Sequence, residues 1–123
     1  MIKNSNLIKI VNCKNKVYDF QNNLESNHTV LIKNCTNINI FVNSKINKII
    51  VINSKFINLN VFQLVSGIEV DKSIVLVNPI DDNNYLIPII ELFKSTLYLV
   101  GNINKYLNLL VLNEFSDIFN VTN

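Results

Sequence analysis

The sequence contains no arginine; all 11 of its basic residues are lysine. A guanidinium presents several fixed donors to phosphate oxygens and lysine is a poor replacement, so any mechanism that inserts an arginine into a phosphoryl-transfer site is excluded. Glycine is equally scarce, at Gly67 and Gly101 only, and no Asn-Gly or Asp-Gly pair is present to close the hairpins of an antiparallel meander. The two cysteines, Cys13 and Cys35, are too few for a disulfide framework and are expected as free, buried thiols. His28 is the single histidine; without a second His or a Cys pair at ligand spacing it builds no metal site, and it is expected at a surface corner. No stretch approaches the roughly 18 apolar residues of a membrane helix. The net charge of +2 is spread along the chain, unlike the dense basic stripe that a nucleic-acid backbone requires. The expectation is a cytoplasmic protein with no membrane and no nucleic-acid partner.

Clustered carboxylates are missing as well. Asp81 and Asp82 share a loop, while Glu69 and Asp71 fall elsewhere, so the paired acids of a polysaccharide-cleaving enzyme or a calcium site are not assembled. No catalytic residue, metal or cofactor is expected, and the chain reads as a binding protein rather than an enzyme.

What is present is apolar and regular. Hydrophobic residues make up 49% of the 123 residues against 16% charged, enough for one folded domain spanning residues 1–123. The apolar residues alternate in short bursts: Val30 and Ile32; Ile38, Ile40 and Val42; Ile49 and Val51; Ile57, Leu59 and Val61; Ile68 and Val70. Period two with β-branched side chains is the pattern of strands that hide one face. The one segment with any helical character is a turn at Ile90-Glu91-Leu92-Phe93.

The bursts recur. Val30, Ile49, Ile68 and Ile87 are 19 residues apart, as are Ile32, Val51, Val70 and Ile89. Turn positions keep the same step: Asn34, Asn53 and Lys72, and beside them Cys35, Ser54 and Ser73. Short strands repeating at such a step form the coils of a β-solenoid, with like positions stacked at about 4.8 Å. The predicted fold is all-β, a right-handed parallel β-helix of about six coils. Asn at the corners is explained by amide ladders and by its tolerance of left-handed backbone. The register loosens after Asn78, with later strands expected near residues 86–90, 96–100 and 107–112 and the Leu7–Val11 strand capping the first coil. Alternation also points Phe41 and Phe62 outward.

The run from Thr29 to Cys35, followed by Ile38-Asn39-Ile40 and by Ser44-Lys45-Ile46-Asn47-Lys48-Ile49 through Asn53-Ser54, resembles the C-terminal domain of the adenylyl cyclase-associated proteins. That family has a V-x-I-x-x-C strand leading, at this spacing, to a G-K-V/I-N-x-I strand that ends in a corner N-C. Val65-Ser66-Gly67-Ile68-Glu69-Val70 and Ile87-Pro88-Ile89-Ile90 continue the likeness, which covers about residues 28–112. Ser44 stands where the family has Gly, Ser54 where it has Cys, the strand near residues 73–77 is shortened, and residues 81–84 are inserted.

The resemblance implies an actin-binding β-helix that takes monomeric actin and promotes exchange of ADP for ATP, or sequesters subunits. Actin is acidic, so the implied contacts are outward lysines and polar groups of the matched coils: Lys33, Asn34, Lys45, Asn47, Lys48, Asn53, Lys55 and Lys72. The family follows its last strand with a hairpin that swaps between subunits. Only Asn113 to Asn123 remain here, so any homodimer is expected to form without it, through open strand edges. The alternative is a relative of tubulin cofactor C, a similar β-helix, lacking GTPase-activating function because the catalytic arginine is absent.

Overall fold

The computed structural model describes residues 2–4, 6–80 and 83–122; the paired acids Asp81 and Asp82 lie outside the described residues. Eleven strands follow one another: β1 (Ile2–Asn4), β2 (Leu7–Val11), β3 (Lys14–Gln21), β4 (Thr29–Lys33), β5 (Thr36–Ile52), β6 (Lys55–Asp71), β7 (Ile74–Pro79), β8 (Ile89–Phe93), β9 (Thr96–Val100), β10 (Leu110–Glu114) and β11 (Asp117–Val121). Strand makes up 70% of the molecule, and helix among the described residues is one 3-10 turn, Ile103–Lys105. All strand pairs are parallel except β1, which lies antiparallel on β2 and covers its edge.

The result is a parallel β-helix of about five turns. Face A stacks β2, β4, the end of β5, the end of β6, β8 and β10. Face B stacks β3, the starts of β5 and β6, then β7, β9 and β11. A rung is one strand of face A with the face B strand that follows it. The 17-residue strands β5 and β6 bend around a third, irregular side to serve both faces.

Alternation selects the core. On face A, Ile8, Val30, Ile49, Ile68 and Ile90 stack inward, and so do Ile10, Ile32, Val51, Val70 and Leu92. From face B they meet Ile38, Ile57, Val75 and Leu97, with Ile40, Leu59, Val77 and Leu99 beside them. Each such side chain contributes roughly 1.5–3 kcal/mol relative to leaving it in water. Phe41 and Phe62, on the opposite parity, are half-buried.

The 19-residue step holds for the central rungs and lengthens at both ends. Ile68 pairs with Ile90, 22 residues on, rather than with Ile87; Val70 likewise pairs with Leu92 and not Ile89. The extra residues after Asn78 are absorbed on the third side, where Ile87 still packs into the core at 1% exposure. The later strands therefore start three residues after the expected positions at β8 and β10, while Thr96–Val100 is where the alternation put it. The segment expected to turn helically is strand β8, with alternating burial. The tail beyond Glu114 is a strand too, β11, in register on β9.

One corner, between faces A and B, is bound by a continuous ladder. Cys13 N–H donates to Cys35 Sγ at 3.4 Å, Cys35 N–H to Ser54 Oγ at 3.0 Å and Ser54 N–H to Ser73 Oγ at 3.0 Å. Ser73 N–H donates to Ser95 Oγ at 3.1 Å and Ser95 N–H to Ser116 Oγ at 2.9 Å. Both cysteines are free, with Cys35 buried and Cys13 half-buried. Asparagine ladders run parallel to it, as the composition implied: Asn53 to Asn34 at 2.9 Å, Asn37 to Asn15 at 2.8 Å, and Asn78 to Asn60 to Asn39 at 3.0 and 2.8 Å.

His28, in contrast, is not at the surface. It is 6% exposed; its Nδ1 accepts Glu25 N–H at 2.8 Å and its carbonyl accepts Asn47 N–H at 2.9 Å. The ring closes the loop that returns the third side to β4, and no composition signal distinguishes that role from an exposed corner.

Candidate functional site

The residues that precede the ladder form a column of their own: Asn12, Asn34, Asn53, Lys72, Lys94 and Phe115, all in left-handed backbone with φ between 47° and 57°. This conformation lets the chain turn from face A to face B in one step, and Asn adopts it at little cost. Rungs one to three carry a second left-handed residue three positions later, Asn15, Asn37 and Phe56. Rungs four to six omit it, since Lys55 and Ile74 occupy equivalent places but Ile57 pairs with Val75. That omission is the shortened strand near residues 73–77.

Where the extra residue stops, the corner drops by one residue and a groove of about 380 Å³ opens along it. Lys55, Lys72 and Lys94 line it, over Ser73, Ile74, Ser95 and Thr96, with Phe115 and Asp117 at the far end. The three lysines are exposed. Lys94 also lies 5.2 Å from the centre of the Phe93 ring.

The implied contact residues divide between two edges of face A. Lys33, Asn34, Asn53, Lys55 and Lys72 gather on the corner just described. Asn47 and Lys48 lie at the opposite edge, roughly 13 Å away along a strand, and Lys45 sits just before them on the third side, paired with Gln63. There Lys48 pairs with Glu69 at 3.3 Å. Asn47 is held by two bonds, donating to Thr29 Oγ1 at 3.0 Å and accepting from Ser66 Oγ at 2.7 Å. Asn34 and Asn53 bond each other. Lys94 was absent from the sequence-derived set, yet its signal was there: Lys94-Ser95 repeats Lys72-Ser73 at 22 residues rather than 19.

Face A itself is electrically divided. Outward residues of its first three rungs include Lys9, Lys33 and Lys48, while those of the last three include Glu69, Asp71, Glu91 and Glu114. The four acids rim a groove of about 700 Å³ floored by Ile50, Ile52, Phe93 and Leu112. Oδ1 of Asp71 is buried there without a hydrogen-bond partner. This groove repels an acidic partner, and the basic corner attracts one.

Among the described residues no group of three His, Cys, Asp or Glu side chains converges as a metal site would require. Burial pushes the Cys35 thiol up, away from the reactive thiolate. Tyr106 is raised by burial and by Tyr85, whose ring meets it edge-on at 4.7 Å, and its hydroxyl donates to Val100 O at 2.6 Å. No helix of the described residues is long and apolar enough to cross a membrane.

The family described as Adenylate cyclase associated (CAP) C terminal matches residues 3–100 of the chain. Neither a curated protein nor a solved structure matches it significantly.

Proposed function

Because the chain belongs to the family of adenylate cyclase-associated (CAP) C-terminal domains, we propose that it binds monomeric actin and regulates subunit turnover. The observation that carries the reading is the match over residues 3–100, which spans β1 to β9. The basic corner supports it: a ladder-stiffened edge presents Lys33, Lys55, Lys72 and Lys94 toward an acidic protein surface. The second group, Lys45, Asn47 and Lys48, extends the contact if actin lies flat across the basic half of face A.

A rigid binder alters a nucleotide site it does not touch only by preferring one conformation of its partner. Preference for the state in which nucleotide is loosely held accelerates exchange of ADP for ATP; equal preference for both states sequesters the subunit. The protein makes and breaks no bond in either case.

Fluorescent-nucleotide release from purified monomeric actin, with and without the protein, tests this. Faster release is the expected result, and binding without faster release identifies a sequestering protein. No binding and no change in release at tens of micromolar overturns the proposal.

A further inference from the structure

Eleven non-glycine residues adopt left-handed backbone among those described: six Asn, Gln21, Lys72, Lys94, and two phenylalanines, Phe56 and Phe115. A bulky ring in this conformation is strained, and Asn at the equivalent rungs shows how the fold avoids the strain. Neither ring gains burial in return. Phe56 is 60% exposed and Phe115 is 79% exposed, the most exposed large apolar residue of the described chain. Lys72 and Lys94 add a second cost, since like charges stacked at about 4.8 Å on adjacent strands repel.

These costs fall together. Phe115 lines the far end of the 380 Å³ groove, with Lys72 and Lys94 between it and Lys55 at the near end; Phe56 is the next residue in the chain after Lys55, beside the groove and not part of its lining. Strain and repulsion that the fold does not need, concentrated on one edge, mark a surface kept for contact. Exposed aromatic rings beside cations are the residues that dominate binding energy when a partner covers them.

We infer that this groove is the primary docking site for an acidic segment of actin, with Phe115 as the apolar anchor in the groove, Phe56 as a second exposed ring next to Lys55 at its near end, and Lys55, Lys72 and Lys94 as its charge complement. The inference rests on the actin reading above and adds to it three residues, Phe56, Lys94 and Phe115, that the family motifs do not contain. Asp117 is the one acid lining the groove, which favours an anionic occupant over a basic one.

The test uses Phe56→Asn, Phe115→Asn and the double variant of the full chain, each read by binding to monomeric actin and by thermal unfolding. Asn relieves the backbone, so Tm should hold or rise by a few degrees, while the double variant binds actin at least about tenfold more weakly. Wild-type affinity in the double variant overturns the docking site and leaves actin binding standing. A lower Tm in both single variants also overturns it, because the rings would then serve the fold. Failure of the wild-type protein to bind actin removes the actin reading, and this site with it.

Discussion

Ser54 Oγ accepts the backbone N–H of Cys35 at 3.0 Å and donates to the carbonyl of Ile52 at 2.9 Å. The relationship is repeated at every rung from the second on, each side chain satisfying a donor of the coil before it and an acceptor two residues back. Ser54→Ala leaves the Cys35 N–H buried without a partner, at a cost of about 1–3 kcal/mol. Ser54→Cys keeps both bonds in weakened form, as Cys35 does with Lys33 O at 3.3 Å, and should cost less than the alanine change. Urea unfolding of the two variants checks the order.

Gly67 pairs with Ile89 where β6 meets β8, at φ +142°. A Cβ there would collide with the Ile89 carbonyl, which is backbone and cannot swing away. Gly67→Ala is expected to destabilise by more than about 2 kcal/mol, through strain and the separation of two strands. At Gly101 the added Cβ would meet Tyr85 Oη at 2.7 Å, the end of a side chain, so Gly101→Ala should cost less. Comparative thermal melts of the two variants decide this.

The central rungs were legible because Val30, Ile49 and Ile68 stack at a constant step and carry their corners with them. The lengthening after Asn78 was visible only as a loss of register. In Ile87-Pro88-Ile89-Ile90 both parities are apolar, so alternation cannot choose which isoleucines face inward. Proline settles it in the structure: β8 begins after Pro88, and Leu110 N–H bonds the Pro88 carbonyl. The corner was half legible. Asn12-Cys13, Asn34-Cys35, Asn53-Ser54, Lys72-Ser73, Lys94-Ser95 and Phe115-Ser116 are one series with unequal steps, and a fixed period of 19 captures only its middle. Phe56 follows left-handed Asn37 at the 19-residue step, yet a phenylalanine in place of Asn conceals the conformation that the position repeats.

Alkaline pH should destabilise the protein. Tyr18 donates to Cys13 Sγ at 3.4 Å, and this bond, with burial, pushes its phenol up to about 12. Tyr106 moves in the same direction through burial. Both phenols stay neutral in the folded state while the unfolded chain ionises near pH 10. The stabilisation is complete below about pH 10 and is lost as pH rises through the folded values. Urea midpoints should fall from about pH 10 upward, and Tyr18→Phe and Tyr106→Phe should each remove a late component from the phenolate absorbance titration.

Half-buried Lys48 and Glu69, at 30% and 38% side-chain exposure, form an ion pair at 3.3 Å. A surface pair of this kind contributes about 0–1 kcal/mol, so Lys48→Ala should leave stability nearly unchanged. Its effect on actin binding is then a clean report on the far edge of face A.

The two edges of face A make different predictions for actin. If the corner is the primary contact, Lys33→Ala with Lys72→Ala should weaken binding strongly, and adding Lys94→Ala should weaken it further, while Lys45→Ala with Lys48→Ala has a smaller effect. Loss of corner lysines should also flatten the dependence of affinity on salt, because fewer attractive charges are then left for salt to screen. Equal losses from both pairs would mean that actin lies across the whole basic half of the face. A loss confined to Lys45 and Lys48 would move the contact to the far edge, where Asn47 is already fixed by Thr29 and Ser66. Binding titrations of the three combinations at two salt concentrations separate these outcomes, since all the substituted lysines sit on outward positions and none carries a core contact.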